Sequence, residues 1–367
     1  MIFAFLLLLF FRPFSNHSNI RLNFLVLVRR IAAPSQQGRV VQSGVMRKVA
    51  VLLAAYNGGQ YLQDQLASLA SQSYPAIDVW LSDDGSTDNT IAIADKAARR
   101  WSKGNFAIIR RNSELSLPCG RGGDVELLLA RCKANFLSLI LNDAIDAEYF
   151  AFCDQDDIWE PTKLSRAVAW LNDQPEDLPA MHCSRTRIID DAGRERGLSL
   201  RFSRPPGFRN AIVQNIAAGN TIVMNRAAMT ALRQHSVDGQ FVSHDWWAYI
   251  LVTALGGRVR YDEEPLTQYR QHSGNLIGEN ASWRARMMRL KLVLRSRFRS
   301  WNETNLKALQ RVRHLLPAEN CQVLDEFSAL RKSTFFLRPY RIMRAGIFRQ
   351  TFPGQLSFLA ASLMGKI

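Results

Sequence analysis

The sequence lacks the usual signs of a disulfide-rich, zinc-binding or membrane-spanning protein. Its five cysteines are scattered and odd in number, and no two form a C-x-x-C pair. This argues against a zinc site or a disulfide framework and fits a reducing compartment. The N-terminal apolar run has eleven residues, whereas a bilayer-spanning helix needs roughly 20. No RNP-type, zinc-finger or helix-turn-helix signature is present, which argues against a nucleic-acid partner.

Acidic residues are scarce at both ends of the chain. Residues 1–48 hold seven Lys and Arg and no Asp or Glu, and residues 281–367 hold 17 basic and 4 acidic residues. The middle, residues 49–280, has 23 basic and 28 acidic residues, so the net charge of +15 belongs to the ends. A basic end favours an anionic membrane surface or a polyanion as partner. We predict a basic helical C-terminal region over residues 281–367.

The first 45 residues do not have the pattern of a signal peptide. Such a peptide has a basic stretch first and a small-residue cleavage site after its apolar core, and neither is present. Since a strand pattern begins directly after "MRK", we expect Met46 to be the true start. Residues 1–45 are then a disordered or non-native extension, and the alternative is a weak interfacial anchor. The main domain is predicted over residues 46–280.

From Val49 onward the apolar pattern alternates between strand and helix. "VAVLLAAY" indicates a buried strand, and Leu62, Leu66 and Leu69 then follow at the spacing of one helix face. Further strand and helix patterns alternate up to about residue 170. Repeated β-α-β units predict an α/β fold with a mixed, mostly parallel sheet and helices on both faces. Ligands of such sheets bind beyond the carboxyl ends of the strands.

Two acidic clusters, "SDDGS" and "CDQDD", follow predicted strands at these ends. In the second cluster, Asp154 and Asp156 leave a strand end near one another. Their hard oxygen ligands suit Mg²⁺ or Mn²⁺ with substrate phosphate oxygens. The alternative is an acidic loop that caps the next helix and interacts with its dipole.

The end of the first predicted strand has features of a nucleotide site. The small side chains of Ala54 and Ala55 let a ligand approach the backbone, and Tyr56 offers a ring on which a base can pack. Asp83 or Asp84 can accept a hydrogen bond from the imide N–H of a pyrimidine. The alternative for these segments is a tight turn followed by a helix cap.

The ordered motifs "VLLAAYNGGQYLQDQLASLASQSY", "DVWLSDDGSTDNT", "FCDQDDIWEPTKL" and "HDWWAYILVTALGG" resemble those of family 2 glycosyltransferases with the GT-A fold. The resemblance covers roughly residues 49–278. "DQDDIW", "HDWW" and "YRQHSGN" are most similar to the rhamnosyltransferase-like branch that builds bacterial surface polysaccharide. The resemblance implies a Rossmann-like GT-A catalytic domain, and the "Q-x-x-R-W" motif of processive synthases is absent. We therefore expect addition of a single sugar.

The resemblance also implies a role for several donor-site residues. Asp84 would read the pyrimidine base of a nucleoside-diphosphate sugar, with Tyr56 beside it. Asp154 and Asp156 form the D-x-D pair, with Asp156 as the metal ligand and Asp154 as a support for ribose or metal. Asp157 would then cap the following helix. The "AAGNT" segment resembles the glycine-containing loop near the sugar, so Gly219 and Asn220 would line the pocket.

Asp245 fits the position of the family's catalytic base. Its usual neighbour is Glu, and here it is His244, whose role stays open. His272 in "YRQHSGN" matches a C-terminal histidine that can complete the metal-diphosphate site. From the residues alone, Asp245 could equally be an N-cap and His272 a loop histidine. Trp246 and Trp247 could stack on an acceptor sugar or belong to the core.

The resulting prediction is a metal-dependent inverting glycosyltransferase. It would move rhamnose from dTDP-rhamnose to a saccharide acceptor, carried on a lipid diphosphate, in O-antigen-like synthesis. We expect it in the cytoplasm, peripheral on the inner face of the cell membrane. The alternatives are a catalytically inactive nucleotide-sugar-binding or scaffold protein, and a transferase that uses a UDP-hexose. A dinucleotide-dependent oxidoreductase is disfavoured because "YNGGQY" does not supply a G-x-G-x-x-G motif.

Overall fold

A computed structural model describes residues 46–111, 125–272 and 297–367. The strands in this part of the chain form one nine-stranded sheet. Their bounds are β1 Val49–Ala55, β2 Ile77–Asp83, β3 Phe106–Arg110, β4 Tyr149–Asp154, β5 Ile158–Trp159, β6 Ala180–Ile189, β7 Glu195–Leu198, β8 Val223–Asn225 and β9 Arg258–Arg270.

The sheet has the order β3-β2-β1-β4-β8-β6-β9-β5, and β7 pairs with β6. Strands β3, β2, β1 and β4 are parallel, as are β6 and β9. Strand β8 is antiparallel to both β4 and β6, and β5 is antiparallel to β9. The predicted α/β architecture, a mixed and mostly parallel sheet with helices, is confirmed.

Helices cover both faces of the sheet. Their bounds are α1 Leu62–Ala70, α2 Thr90–Ala98, α3 Val125–Ile140, α4 Lys163–Asn172, α5 Phe208–Ala211, α6 Arg226–His235, α7 His244–Ala254, α8 Arg297–Arg311, α9 Ala318–Lys332, α10 Arg338–Ala345 and α11 Phe352–Leu363. Because successive side chains of a strand point to opposite faces, β1 divides its apolar residues between two cores. Val51 and Leu53 pack in the core that includes α1 and α4, whereas Leu52 packs in the core with α3 and α7.

The C-terminal helices complete the second core. Leu309 of α8 and Phe327 of α9 are fully buried in the same apolar cluster as Trp247 and Tyr249 of α7. The predicted helical C-terminal region is therefore present from residue 297, whereas residues 1–45 and 281–296 lie outside the described residues. None of the described helices has the length and apolarity needed to cross a bilayer.

Candidate functional site

The carboxyl ends of three neighbouring parallel strands meet at one edge of the sheet. Ala54 of β1 pairs in register with Asp154 of β4, and Ala55 pairs with Asp83 of β2. The Asp84 N–H donates to the Ala55 carbonyl over 2.9 Å, which holds the turn after β2 against the end of β1. The two acidic clusters predicted to follow strands therefore lie side by side, as the topology required.

Two arginines hold the Asp84 carboxylate. Arg111 Nη1 donates to Oδ1 over 2.9 Å, and Arg131 Nε donates to Oδ2 over 3.0 Å. The Arg131 guanidinium also lies 3.9 Å above the centre of the Tyr56 ring. Arg131 therefore connects Asp84 and Tyr56, the two residues predicted to bind the base. No sequence motif indicated Arg131.

Helix α3 forms a wall of the same cleft. Asn135 Nδ2 donates to the carbonyls of Ala55 and Ser82 over 3.3 and 3.1 Å, which anchors the helix at the ends of β1 and β2. One turn earlier, burial raises the pKa of the Cys132 thiol well above its usual value. The carboxylates that raise it further are those of Asp154, Asp245, Asp156 and Asp84. The charges of all four predicted site acids therefore act on the Cys132 thiol.

Gln155, between the two acids of the D-x-D pair, joins the loops after β4 and β1. Its Oε1 accepts from the Tyr56 N–H over 2.8 Å, and its Nε2 donates to the Tyr56 carbonyl over 3.0 Å. A Cβ on Gly58 would lie 2.3 Å from Gln155 Oε1, so glycine is required for this close approach. The middle residue of the motif therefore fixes the loop that carries Tyr56.

Asp156 and His272 face each other across the cleft. His272 Nε2 and Asp156 Oδ2 are 2.9 Å apart, and the Tyr61 ring centre lies 4.8 Å from that of His272. Among the described residues, no three His, Cys, Asp or Glu side chains form a complete metal-binding group. A carboxylate with an imidazole nevertheless fits a divalent ion that takes its other ligands from water and phosphate.

Asp154 has an environment that favours its protonated form. Burial, together with the nearby carboxylates of Asp156 and Asp245, raises the pKa of Asp154 to about 7, and only Lys163 opposes the increase. A cation bound in the cleft would stabilise the ionised carboxylate, since an opposite charge favours the charged form.

Asp157 does not cap the helix after the acidic cluster, so that expectation was wrong. The chain first forms β5, and α4 begins at Lys163 with Thr162 as its N-cap. Instead, Asp157 is fully buried: Oδ2 accepts from Asn220 Nδ2, and Oδ1 accepts from the Arg270 N–H over 3.2 Å. Its carboxylate therefore connects the acidic loop to the Asn220 loop and to the end of β9.

Lys163 contacts the Asn220 loop from the interior of the protein. Its ammonium is buried, donates to the Asn220 carbonyl and lies 3.3 Å from the centre of the Trp159 ring. Burial lowers the pKa of Lys163 to about 7, against the effect of Cys153, Asp157 and Asp154. The side chain of Asn220 is itself buried, so it acts within the protein as a partner of Asp157.

Gly219 lies against the buried His244 ring. A Cβ at position 219 would be 2.9 Å from His244 Nε2, so a larger residue would displace the loop. The imidazole stacks on Phe136 with ring centres 3.8 Å apart. Within the described residues neither ring nitrogen has a hydrogen-bond partner, and burial lowers the pKa of His244 to about 4. His244 is therefore a neutral, packed ring at neutral pH.

Asp245 lies in the first turn of α7, after the N-cap Ser243. Asn215 Nδ2 donates to Oδ2 over 2.8 Å, and the Trp246 N–H donates to Oδ1 over 2.7 Å. Asn215 in turn accepts the Ala217 N–H over 3.0 Å. The carboxylate is thus oriented by a residue 30 positions earlier, a partner that the local sequence around "HDWW" could not indicate.

Neither tryptophan of the "HDWW" motif is available to an acceptor sugar. Trp246 and Trp247 are both buried, and their indole N–H groups donate to the Ala211 carbonyl and to Ser236 Oγ over 2.8 and 3.1 Å. Both belong to the core, so the alternative of sugar stacking is wrong.

Residues 50–117 match the family model of glycosyl transferase family 2. The resemblance to family 2 glycosyltransferases is confirmed. The match covers the end of β1 and the Asp83–Asp84 turn, which is the part of the cleft where Tyr56 and Asp84 lie.

Relatives of this glycosyltransferase-like chain include two named bacterial enzymes. It is 26% identical over 253 residues to dTDP-rhamnosyl transferase RfbG of Shigella flexneri, covering 66% of this chain and 78% of the relative. It is 24% identical to the UDP-Glc:alpha-D-GlcNAc-diphosphoundecaprenol beta-1,3-glucosyltransferase WfaP of Escherichia coli, covering 63% and 80%. The chain spans 59% of the length of three uncharacterized mycobacterial relatives.

Among solved structures, the chain is similar to the mannosyltransferase PcManGT from Pyrobaculum calidifontis in complex with GDP-Man and Mn²⁺. The TM-score is 0.45 at 16% identity, over 88% of this chain and 87% of that one.

Proposed function

We propose that this protein is an inverting glycosyltransferase that moves one sugar from a nucleoside-diphosphate donor to a saccharide acceptor. The observation that carries the proposal is the geometry of the strand ends: the Asp84 turn is hydrogen-bonded to the end of β1, Asp154 pairs in register with Ala54, and Asp156 Oδ2 lies 2.9 Å from His272 Nε2. Asp84, Asp156 and Asp245 each have a different partner, which is consistent with different tasks. Rhamnose from dTDP-rhamnose is the preferred donor, supported by the similarity to RfbG.

Asp245 is the proposed general base. The acceptor hydroxyl has a pKa far above neutrality, so its proton must be taken up as the new bond forms. The Asn215 and Trp246 hydrogen bonds fix the direction in which the carboxylate can accept that proton. One base and one in-line displacement invert the anomeric centre.

Asp156 and His272 are the proposed ligands of a divalent metal, Mg²⁺ or Mn²⁺. Their facing oxygen and nitrogen atoms provide two ligands, and the donor diphosphate and water would supply the others. When bound, such an ion neutralises charge on the leaving diphosphate. Asp84 and Tyr56 would hold the base at the other end of the cleft, with Arg111 and Arg131 orienting Asp84.

A UDP-hexose is the alternative donor, because the name of the relative WfaP gives UDP-Glc as its donor. The same name suggests an acceptor on a lipid diphosphate. We infer a cytoplasmic protein that is peripheral on the inner face of the cell membrane, in synthesis of bacterial surface polysaccharide.

A donor screen tests the proposal. Thermal shift and hydrolysis are measured with dTDP-rhamnose, UDP-glucose, UDP-N-acetylglucosamine and GDP-mannose, each with and without Mn²⁺. We expect metal-dependent stabilisation and slow hydrolysis with one donor. In the Asp245→Asn variant we expect donor binding to persist while transfer is abolished. Donor binding without hydrolysis or transfer by the wild-type protein would favour the inactive binding protein, and transfer by Asp245→Asn at a near-normal rate would exclude Asp245 as base.

A further inference from the structure

Helix α10 and the short 3-10 turn before it, Phe335–Leu337, expose a row of large apolar side chains. Phe336 is 88% exposed, Tyr340 54% and Met343 71%. The backbone stays helical from the turn into α10, because both Leu337 and Arg338 have right-handed helical dihedral angles. Residues spaced i, i+4 and i+7 then share one face. We call these three residues the apolar stripe.

The opposite side of α10 is attached to the protein. Ile342 and Ala345 are buried in the core, and Arg338 donates to the carbonyls of Leu363 and Ser333. The stripe therefore projects outward from a helix that is fixed on its inner side. Exposed contiguous apolar residues of this size mark a surface that contacts a partner.

The surroundings of the stripe are positively charged. Residues 327–367 hold seven Lys and Arg and no Asp or Glu. The nearest acid along the chain, Glu326, is shared by two arginines: Arg341 Nη1 lies 2.7 Å from Oε2, and Arg344 Nε lies 3.1 Å from Oε1. One carboxylate cannot neutralise two guanidinium groups, so a positive charge remains beside the stripe.

This combination identifies the chemistry of the partner. Two copies joined stripe to stripe would bring their positive charges together, which disfavours a symmetric dimer. A nucleic acid would engage the arginines, but its phosphates gain nothing from the apolar side chains of Phe336 and Met343. An anionic bilayer satisfies both features, because its acyl boundary accepts apolar side chains and its headgroups attract Lys and Arg.

We propose that the apolar stripe inserts into the headgroup–acyl boundary of an anionic membrane, with Lys332, Arg341 and Arg344 facing the headgroups. The proposed function includes a peripheral location on the membrane, and this proposal identifies the surface that makes the contact. It rests on that location alone and is independent of the transfer chemistry.

The test uses the full chain and vesicles of phosphatidylcholine, with and without about one third phosphatidylglycerol. Co-sedimentation is measured for the wild type, the double variant Phe336→Glu/Met343→Glu and the control Val237→Glu. Val237 is an apolar residue with 72% exposure that lies outside the C-terminal helices. We expect the wild type and the control to bind anionic vesicles equally. The double variant should lose at least about tenfold in affinity, because charged groups cannot enter the apolar boundary.

Three results would overturn the proposal. The first is a wild type that ignores anionic vesicles, and the second is a double variant that binds them as well as the wild type does. The third is a wild type that self-associates in light scattering and a double variant that is monomeric, with no vesicle binding by either. Phe336→Ser/Met343→Ser provides a second test should the glutamates perturb folding. Donor binding by thermal shift is measured in parallel, so loss of membrane contact is distinguished from failure of the proposed transferase activity.

Discussion

Asn215 Nδ2 lies 2.8 Å from Asp245 Oδ2, and this contact leaves the proposed base in one orientation. Asn215 is in turn held by the Ala217 N–H, at the start of the segment that leads to Gly219. The carboxylate therefore depends on the loop that the family resemblance places near the sugar.

The first prediction follows from this contact. Asn215→Ala should lower the transfer rate by roughly 10- to 100-fold, since a general base acts only from a defined position. Donor affinity should change little, because within the described residues the Asn215 side chain hydrogen-bonds to Asp245 and Ala217. Steady-state kinetics with a donor titration separates the two effects, and Asn105→Ala is the control on an exposed asparagine. An equal loss of donor affinity in Asn215→Ala would assign Asn215 to the donor instead.

The second prediction concerns the Asp156–His272 pair. Asp156→Ala and His272→Ala should each reduce the Mn²⁺-dependent part of donor binding by at least about tenfold, because each removes one of two proposed ligands. Calorimetry with and without Mn²⁺ measures this part separately from metal-independent binding. As a control, Asp143→Ala removes an exposed carboxylate and should leave both the Mn²⁺-dependent and the metal-independent donor binding unchanged. Undiminished metal dependence in both variants would refute the ligand assignment.

The third prediction compares two substitutions of the buried Asp157. Asp157→Ala removes the hydrogen bonds that the carboxylate accepts from Asn220 Nδ2 and from the Arg270 N–H, at a cost of about 2–4 kcal/mol. Asp157→Asn can keep the Arg270 contact. Asn220 Oδ1 has no partner within the described residues. If the Asn220 amide rotates by half a turn, this oxygen can accept a hydrogen bond from the amide that Asp157→Asn introduces. Urea unfolding should therefore show a much smaller loss for Asp157→Asn. Equal losses would mean that charge compensation of Lys163, rather than hydrogen bonding, is the main role of Asp157.

The fourth prediction is a pH dependence of stability from His244. Burial lowers its pKa from 6.5 to about 4 in the folded protein, so between these values the unfolded chain binds more protons. Stability therefore rises with pH across this window and is lost as the pH falls through it, by roughly 3 kcal/mol for a shift of this size.

The variant His244→Leu removes this titration. Its urea midpoint should fall less than that of the wild type between neutral pH and about pH 4. Asp154 acts in the opposite direction, because its raised folded pKa favours the folded state as the pH decreases. Because Asp154 is present in both proteins, the difference between their pH profiles reports the contribution of His244. If the pH profiles of the two proteins are parallel, the pKa of His244 does not differ between the folded and the unfolded protein.

The sequence predicted the features that depend on local pattern. The alternation in "VAVLLAAY", the helical spacing of Leu62, Leu66 and Leu69, and the acids at strand ends together specified the sheet and the edge where the site lies. This worked because side-chain period and strand order follow from short-range rules. The family resemblance then added Asp245 and His272, which no local pattern distinguished from a cap and a loop residue.

Partners that are distant in the chain could not be predicted in this way. Arg131 reaches Asp84 from 47 positions away, and Asn220 reaches Asp157 from 63 positions away. Asp157 was misread because position alone made it a helix cap, whereas β5 intervenes and directs its side chain inward. Trp246 and Trp247 were ambiguous for the same reason: the depth of an aromatic residue depends on what packs around it.

The Gln155 side chain has a mechanical consequence. Its amide accepts from the Tyr56 N–H and donates to the Tyr56 carbonyl, so moving the loop after β1 away from the loop after β4 would break two hydrogen bonds. We therefore expect any opening or closing of the cleft to move these two loops together. If the two loops hold the base and the diphosphate as proposed, the spacing between nucleobase and phosphate becomes a criterion of donor selection.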